Sequence, residues 1–147
     1  MKIIVINGPN LNMLGIREPS HYGSESYRDL LAKIRKHARS VGVKVSFYQS
    51  NHEGDLIDRI QRAYRRADGI VINPGGYTHT SVALADAVRA VSLPCVEVHI
   101  SHVDEREEYR KISYIREACI DVVSGRGTNG YLTAIDRLIA HARGEKP

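Results

Sequence analysis

A chain of 147 residues with 42% apolar content can bury a real core, which excludes a disordered or fibrous protein and favours one domain over residues 1–147. No apolar run reaches membrane length, and the start MKIIVINGPN lacks a signal peptide's long apolar region, so a cytoplasmic protein with no membrane partner is expected. The net charge of +4 permits an anionic partner, but Arg59, Arg62, Arg65 and Arg66 fall at helical spacing without interleaved aromatics, which describes a solvated helix face and no nucleic-acid binder.

In chain order, KIIVIN (2–7) is a short β-branched run bounded by turn residues and predicts a strand. Tyr27, Leu30, Leu31, Ile34, Ala38 and Val41 then share one helical face. VKVSFYQ (43–49) predicts a second strand, and Leu56, Ile57, Ile60, Ala63, Tyr64 and Ala67 a second helix. GIVIN (69–73), a helix over 80–91, CVEVHI (95–100), a short charged segment EREEYRKISYI, IDVVS (120–124) and a helix over 129–142 complete the series. Cys95 and Cys119 lie in apolar runs without a CxxC pattern and read as packing residues. Strands alternating with helices require parallel pairing and right-handed crossovers, so both sheet faces must be covered. The fold class is therefore α/β, a flavodoxin-like doubly wound sandwich with five parallel strands in the order 2-1-3-4-5.

On such a sheet, ligands sit beyond the carboxyl ends of the strands. The unusual residues collect in the loops leaving those ends: NGPNLNMLGIREPSHYG, QSNHEG, NPGGYTHTS, HISHVDERE and SGRGTNG. The first greatly exceeds the usual link of about two to six residues and predicts a lid or substrate loop.

GRGTNG (125–130) matches GxGxxG but follows a late strand with no acidic residue on a next strand, so it reads as a tight strand-to-helix turn rather than a dinucleotide site. A receiver-type phosphorylation module needs carboxylates where this chain has Asn7, Asn10, Asn12 and Asn73, amides that neither hold a metal well nor accept a phosphoryl group. A flavin- or nucleotide-binding module on the same fold is the alternative reading, although no hydroxyl-rich phosphate loop follows the first strand. Glu97 and His99 are i and i+2 on a strand and share a face. With His102 and Asp104 they could suggest a metal site. The spacing equally suits a carboxylate orienting an acid/base imidazole. In NPGGYTHTS the glycines let backbone approach a ligand, and Thr78 or Thr80 can cap the following helix.

Taken together, INGPNLNMLGIREPSHYG, QSNHEG, NPGGYTHTSVAL, VEVHIS and EREEYRKISY resemble the type II 3-dehydroquinate dehydratases of the shikimate and quinate pathways, over nearly the whole chain. The resemblance implies a hydro-lyase that converts 3-dehydroquinate to 3-dehydroshikimate by anti elimination through an enolate, with no metal or organic cofactor. It implies Tyr22 as the base, acting as tyrosinate, with Arg17 beside it. Ionising a phenol near neutrality takes about 3 to 4 kcal/mol. One guanidinium at about 4 Å supplies about 4 kcal/mol at an effective dielectric near 20. By the same resemblance His99, oriented by Glu97, is the general acid, Asn73 holds the leaving hydroxyl, and Asn10 positions a water against the enolate. The amides of Ile100 and Ser101 receive the substrate carboxylate, His79 and Arg110 the ring hydroxyls. Asp86 arrives from a neighbouring subunit of a homo-oligomer, a dodecamer built from trimers. His102, Asp104, Glu105 and Ala85 depart from the family's usual residues.

Overall fold

Valine- and isoleucine-rich runs form five strands: β1 Lys2–Asn7, β2 Lys44–Gln49, β3 Gly69–Asn73, β4 Cys95–His99 and β5 Asp121–Ser124. The computed structural model describes residues 1–145. All strands pair in parallel in the order β2-β1-β3-β4-β5, as expected. Their carboxyl ends come into line, with Asn7 opposite Asn73 and His99 opposite Ser124.

Five α-helical segments accompany them: a single turn α1 at Pro19–Tyr22, then α2 Tyr27–Ser40, α3 Glu53–Ala63, α4 Val82–Val91 and α5 Gly130–Ala142. Side chains alternate across β1, so Ile3 and Val5 pack with Leu30, Ile34, Ile135 and Leu138 of α2 and α5, while Ile4 and Ile6 pack with Leu56, Ile60, Leu84 and Val88 of α3 and α4. Burial on both faces explains why the central strands β1, β3 and β4 read as continuous apolar runs, whereas the half-buried edge strands β2 and β5 do not. Cys95 lies in the second cluster and Cys119 packs against it, both as free thiols. The Cys119 contact, and then burial, hold the Cys95 thiol well above its ordinary range.

Two local expectations need correction. The second helix ends at Ala63, short of Ala67, because Tyr64 leaves helical geometry and Arg65 turns left-handed at φ 59°. The cap of α4 is Ser81, whose hydroxyl accepts from the Leu84 amide at 3.0 Å, and not Thr78 or Thr80. The short charged segment EREEYRKISYI begins at the end of a 3-10 turn, Val103–Glu105, and holds another at Glu108–Lys111. No helix among the described residues is long and apolar enough to cross a membrane.

Candidate active site

The long loop after β1 folds back over the sheet edge as a 3-10 turn at Leu11–Met13 followed by α1. Pro19 opens α1, where its missing amide costs nothing, and the Gly23 amide closes it on the Pro19 carbonyl at 2.8 Å. This brings Tyr22 over the ends of β3 and β4. A cavity of about 130 Å³ lies there. It is lined by Asn10, Arg17, Tyr22, Asn73, His79, His99, Ile100, Ser101 and Arg110, which are nine of the eleven predicted site residues.

The Tyr22 hydroxyl accepts from two guanidiniums, Arg17 Nη2 at 3.1 Å and Arg106 Nη1 at 2.8 Å. Arg17 also lies over the ring face, 4.3 Å from its centroid. Guanidinium groups can only donate, so the phenol oxygen serves as acceptor to both. Sequence reading misses Arg106, which stands inside a run of charges that looks like a solvated surface. Its segment holds 3-10 turns with Arg106 extended between them, so no spacing in the sequence tied it to Arg110.

Glu97 is one of the two predicted residues outside the lining, and it stands behind His99. Its side chain is 0% exposed, and its Oε1 lies 2.6 Å from His99 Nε2. Thr78 also donates to Oε1, and the Ser113 hydroxyl lies 3.1 Å from both carboxylate oxygens. Burial pushes the Glu97 carboxyl up, but the bonds and charge of His99 and the two hydroxyls outweigh it and hold the group below its ordinary value. With Nε2 committed to Glu97, the Nδ1 edge of His99 is the one left for the cavity. The i, i+2 spacing is therefore a carboxylate–imidazole pair. His102 does not join it, since its ring stands against Gly125.

The depressed Glu97 group links stability to acid. The unfolded chain takes up the proton more readily than the fold, so the contribution is complete above the ordinary glutamate value and is lost as pH falls through the folded value. Glu97→Gln is expected to lower stability near neutrality by roughly 1 to 3 kcal/mol. It should also flatten the acid limb of a thermal-denaturation series below about pH 5. An acid limb identical to wild type would show that this carboxyl is not the titrating group.

Asn73 is buried and held at both ends of its amide, donating to Tyr131 Oη at 2.9 Å and accepting from the Gly75 amide at 3.1 Å. Tyr131, fully buried on α5, in turn donates to Asn7 Oδ1 at 2.7 Å. Its sequence signal was that of a core aromatic, and burial raises its phenol far above the ordinary range. Asn10 lines the cavity from a left-handed backbone at φ 68°, its amide donating to Asn51 Oδ1 at 3.0 Å. Asn51 also accepts from the Tyr77 hydroxyl through its carbonyl at 3.0 Å. QSNHEG thus braces the neighbouring loops, and none of its residues lines the cavity.

His79 donates through Nδ1 to the Ile112 carbonyl at 2.6 Å. Burial first, and then the charges of His99 and Arg110, lower its affinity for a proton below that of ordinary histidine. The neutral ring therefore keeps an acceptor at Nε2, a buried atom without a partner among the described residues. Arg110 is fixed by Glu107 at 2.8 Å. Asp86 does not reach this cavity. It is exposed on α4 and pairs with Arg89 at 3.4 Å. Of the departures from the family's usual residues, Ala85 is buried in the α3–α4 cluster and Asp104 faces Arg116 at 3.8 Å.

A second cavity of about 530 Å³ lies against the first and shares Tyr22, Ile100, Ser101 and Arg106 with it. Only the smaller one brings the phenol, imidazole and amides together.

The family model described as Dehydroquinase class II matches residues 1–139. A 3-dehydroquinate dehydratase of Caldicellulosiruptor bescii is 53% identical over 91% of this chain and 93% of its own length. A catabolic 3-dehydroquinase of Verticillium alfalfae is 50% identical over 97% and 95%. The crystal structure of a type II dehydroquinase from Butyrivibrio crossotus superposes with a TM-score of 0.93 at 54% identity, covering 95% of this chain and 97% of that one. With its sheet order and its site now described, the chain is an enzyme of the class II dehydroquinase family.

Proposed function

We propose that the enzyme dehydrates 3-dehydroquinate to 3-dehydroshikimate by anti elimination through an enolate. The observation that carries this reading is the pairing of a phenol held by Arg17 and Arg106 with a Glu97-backed imidazole, both on one cavity.

Tyr22, as tyrosinate, takes the proton next to the ketone. The electron pair of the broken C–H bond moves into the carbonyl to give the enolate. A water positioned by Asn10 stabilises that charge, as a preorganised donor placed where charge develops. The enolate then re-forms the ketone and expels the hydroxyl, which His99 protonates, so that water leaves. Asn73 holds the departing oxygen with the amide hydrogen not given to Tyr131. The substrate carboxylate lies on the amides of Ile100 and Ser101 and the Ser101 hydroxyl, while His79 Nε2 and Arg110 meet the ring hydroxyls. Asp86 of a neighbouring subunit completes the site, in trimers grouped into a dodecamer, and neither metal nor organic cofactor takes part.

The assay is direct. Purified protein mixed with 3-dehydroquinate is expected to show growing ultraviolet absorbance from the conjugated product, and to survive borohydride added with substrate, since no imine forms. A folded, assembled sample without turnover would sink the proposal.

A further inference from the structure

The GRGTNG turn, residues 125–130, has no part in the chemistry above. Its amides nevertheless touch the segment that supplies the carboxylate site. Gly127 N donates to the Ile100 carbonyl at 3.1 Å, and Gly125 N lies 3.2 Å from both the His99 and the Ser101 carbonyls. The Ser124 hydroxyl adds a bond to the Ser101 carbonyl at 3.0 Å.

Peptide geometry turns these contacts into an orientation. The structure has no cis peptide bond among the described residues, so each N–H points opposite to the carbonyl of the same peptide group. The His99 carbonyl shares its peptide with the Ile100 amide, and the Ile100 carbonyl shares its peptide with the Ser101 amide. Both carbonyls face the glycine turn, so both amides face away from it. Ile100 and Ser101 border the two cavities, whereas Gly125 and Gly127 border only the larger. Among the described residues, neither the Ile100 nor the Ser101 amide donates to a protein acceptor.

We propose that Gly125 and Gly127 are positioning residues. From behind, they hold two peptide groups so that the Ile100 and Ser101 amides present a paired anion cradle to the substrate carboxylate. The inference rests on the carboxylate site given under the proposed function. Each glycine amide, peptide group and carboxylate forms a chain of hydrogen bonds in which every member polarises the next. Successive amides held in this way form a concavity suited to an anion. Glycine suits both positions because φ is 71° at Gly125 and 57° at Gly127, in the left-handed region. A Cβ on Gly125 would also lie 2.0 Å from the His102 ring, whereas one on Gly127 meets nothing within 4 Å.

Gly127→Ala therefore perturbs backbone conformation alone. The probes are a non-reactive cyclohexane carboxylate analogue of the substrate and its primary carboxamide. The alanine variant should raise KM and the carboxylate's inhibition constant about tenfold, with kcat within about twofold and carboxamide binding changed less than about threefold. Gly127→Asn, which tolerates the left-handed region, should behave like wild type. Equal weakening of both competitors, or a fall in kcat at constant KM, would overturn the proposal. A second test needs no variant and no turnover. In wild-type protein the carboxylate should slow hydrogen exchange at the Gly127 amide together with Ile100 and Ser101, and the carboxamide should slow it less. Protection at Ile100 and Ser101 with Gly127 unchanged also overturns it. Absence of wild-type turnover would strike the proposed reaction, while these exchange results judge the cradle separately.

Discussion

Tyr22→Phe is expected to lower kcat by about 10³- to 10⁴-fold, the upper range for loss of a positioned base. The substitution removes one oxygen and leaves the ring, so its contacts with the core beneath the loop remain. That oxygen is also the only Tyr22 atom that either guanidinium hydrogen-bonds, from Arg17 at 3.1 Å and from Arg106 at 2.8 Å. Without it the two guanidiniums lose their shared acceptor, and no carboxylate among the described residues lines the cavity to take over the proposed role. Binding should survive, because the groups assigned to the carboxylate and ring hydroxyls lie elsewhere on the lining. The measurement is steady-state turnover beside equilibrium binding of a substrate analogue. A variant that keeps more than about a tenth of wild-type kcat would remove Tyr22 from the role of base.

His99→Ala comes second, with an expected loss in kcat of about 10²- to 10³-fold. The phenol would still generate the enolate, but the hydroxyl would have to leave without a proton donor. Its effect should also be non-additive with that of Glu97. In the proposed mechanism the carboxylate acts on the reaction only through the ring 2.6 Å away, so Glu97→Gln in the His99→Ala background should cost little further turnover. Losses that multiply would mean that Glu97 has an independent catalytic part. Because Glu97 is fully buried, each variant must be checked for its thermal transition before rates are compared.

Much of this was legible in the residues. The central strands β1, β3 and β4 announced themselves because they are buried on both faces, so apolar residues dominate them and turn residues mark the ends, while the half-buried edge strands β2 and β5 carry a more mixed pattern. Side chains at the carboxyl ends of β3 and β4 inherit their position from the strand, which is why Asn73 and His99 could be placed on one edge by counting. Tyr22 and Arg17 were harder, since their meeting depends on α1, a single turn in a long loop, and the resemblance to a family supplied what spacing could not.

What escaped the sequence escaped for physical reasons. Arg106 reaches Tyr22 across 84 residues of chain from a segment without regular periodicity, and a charge within EREEYRK has the composition of solvated surface. Tyr131 looks like any aromatic on the inner face of a helix, because hydropathy registers its ring and not the hydroxyl that joins Asn7 to Asn73. QSNHEG was drawn to the site by its polar composition, yet its amides and carbonyls are spent on neighbouring loops. The GRGTNG pattern likewise records the demands of a backbone turn.

The Asn7–Tyr131–Asn73 chain also has a meaning in time. Asn7 and Tyr131 stand 124 positions apart, so their bond closes a loop spanning most of the chain, and it needs strand, helix and their shared core already in register. Contacts of such separation are slow to form, because loop-closure entropy is paid before they reward it. The orientation of Asn73 therefore depends on the packing of α5, which carries Tyr131, against the sheet.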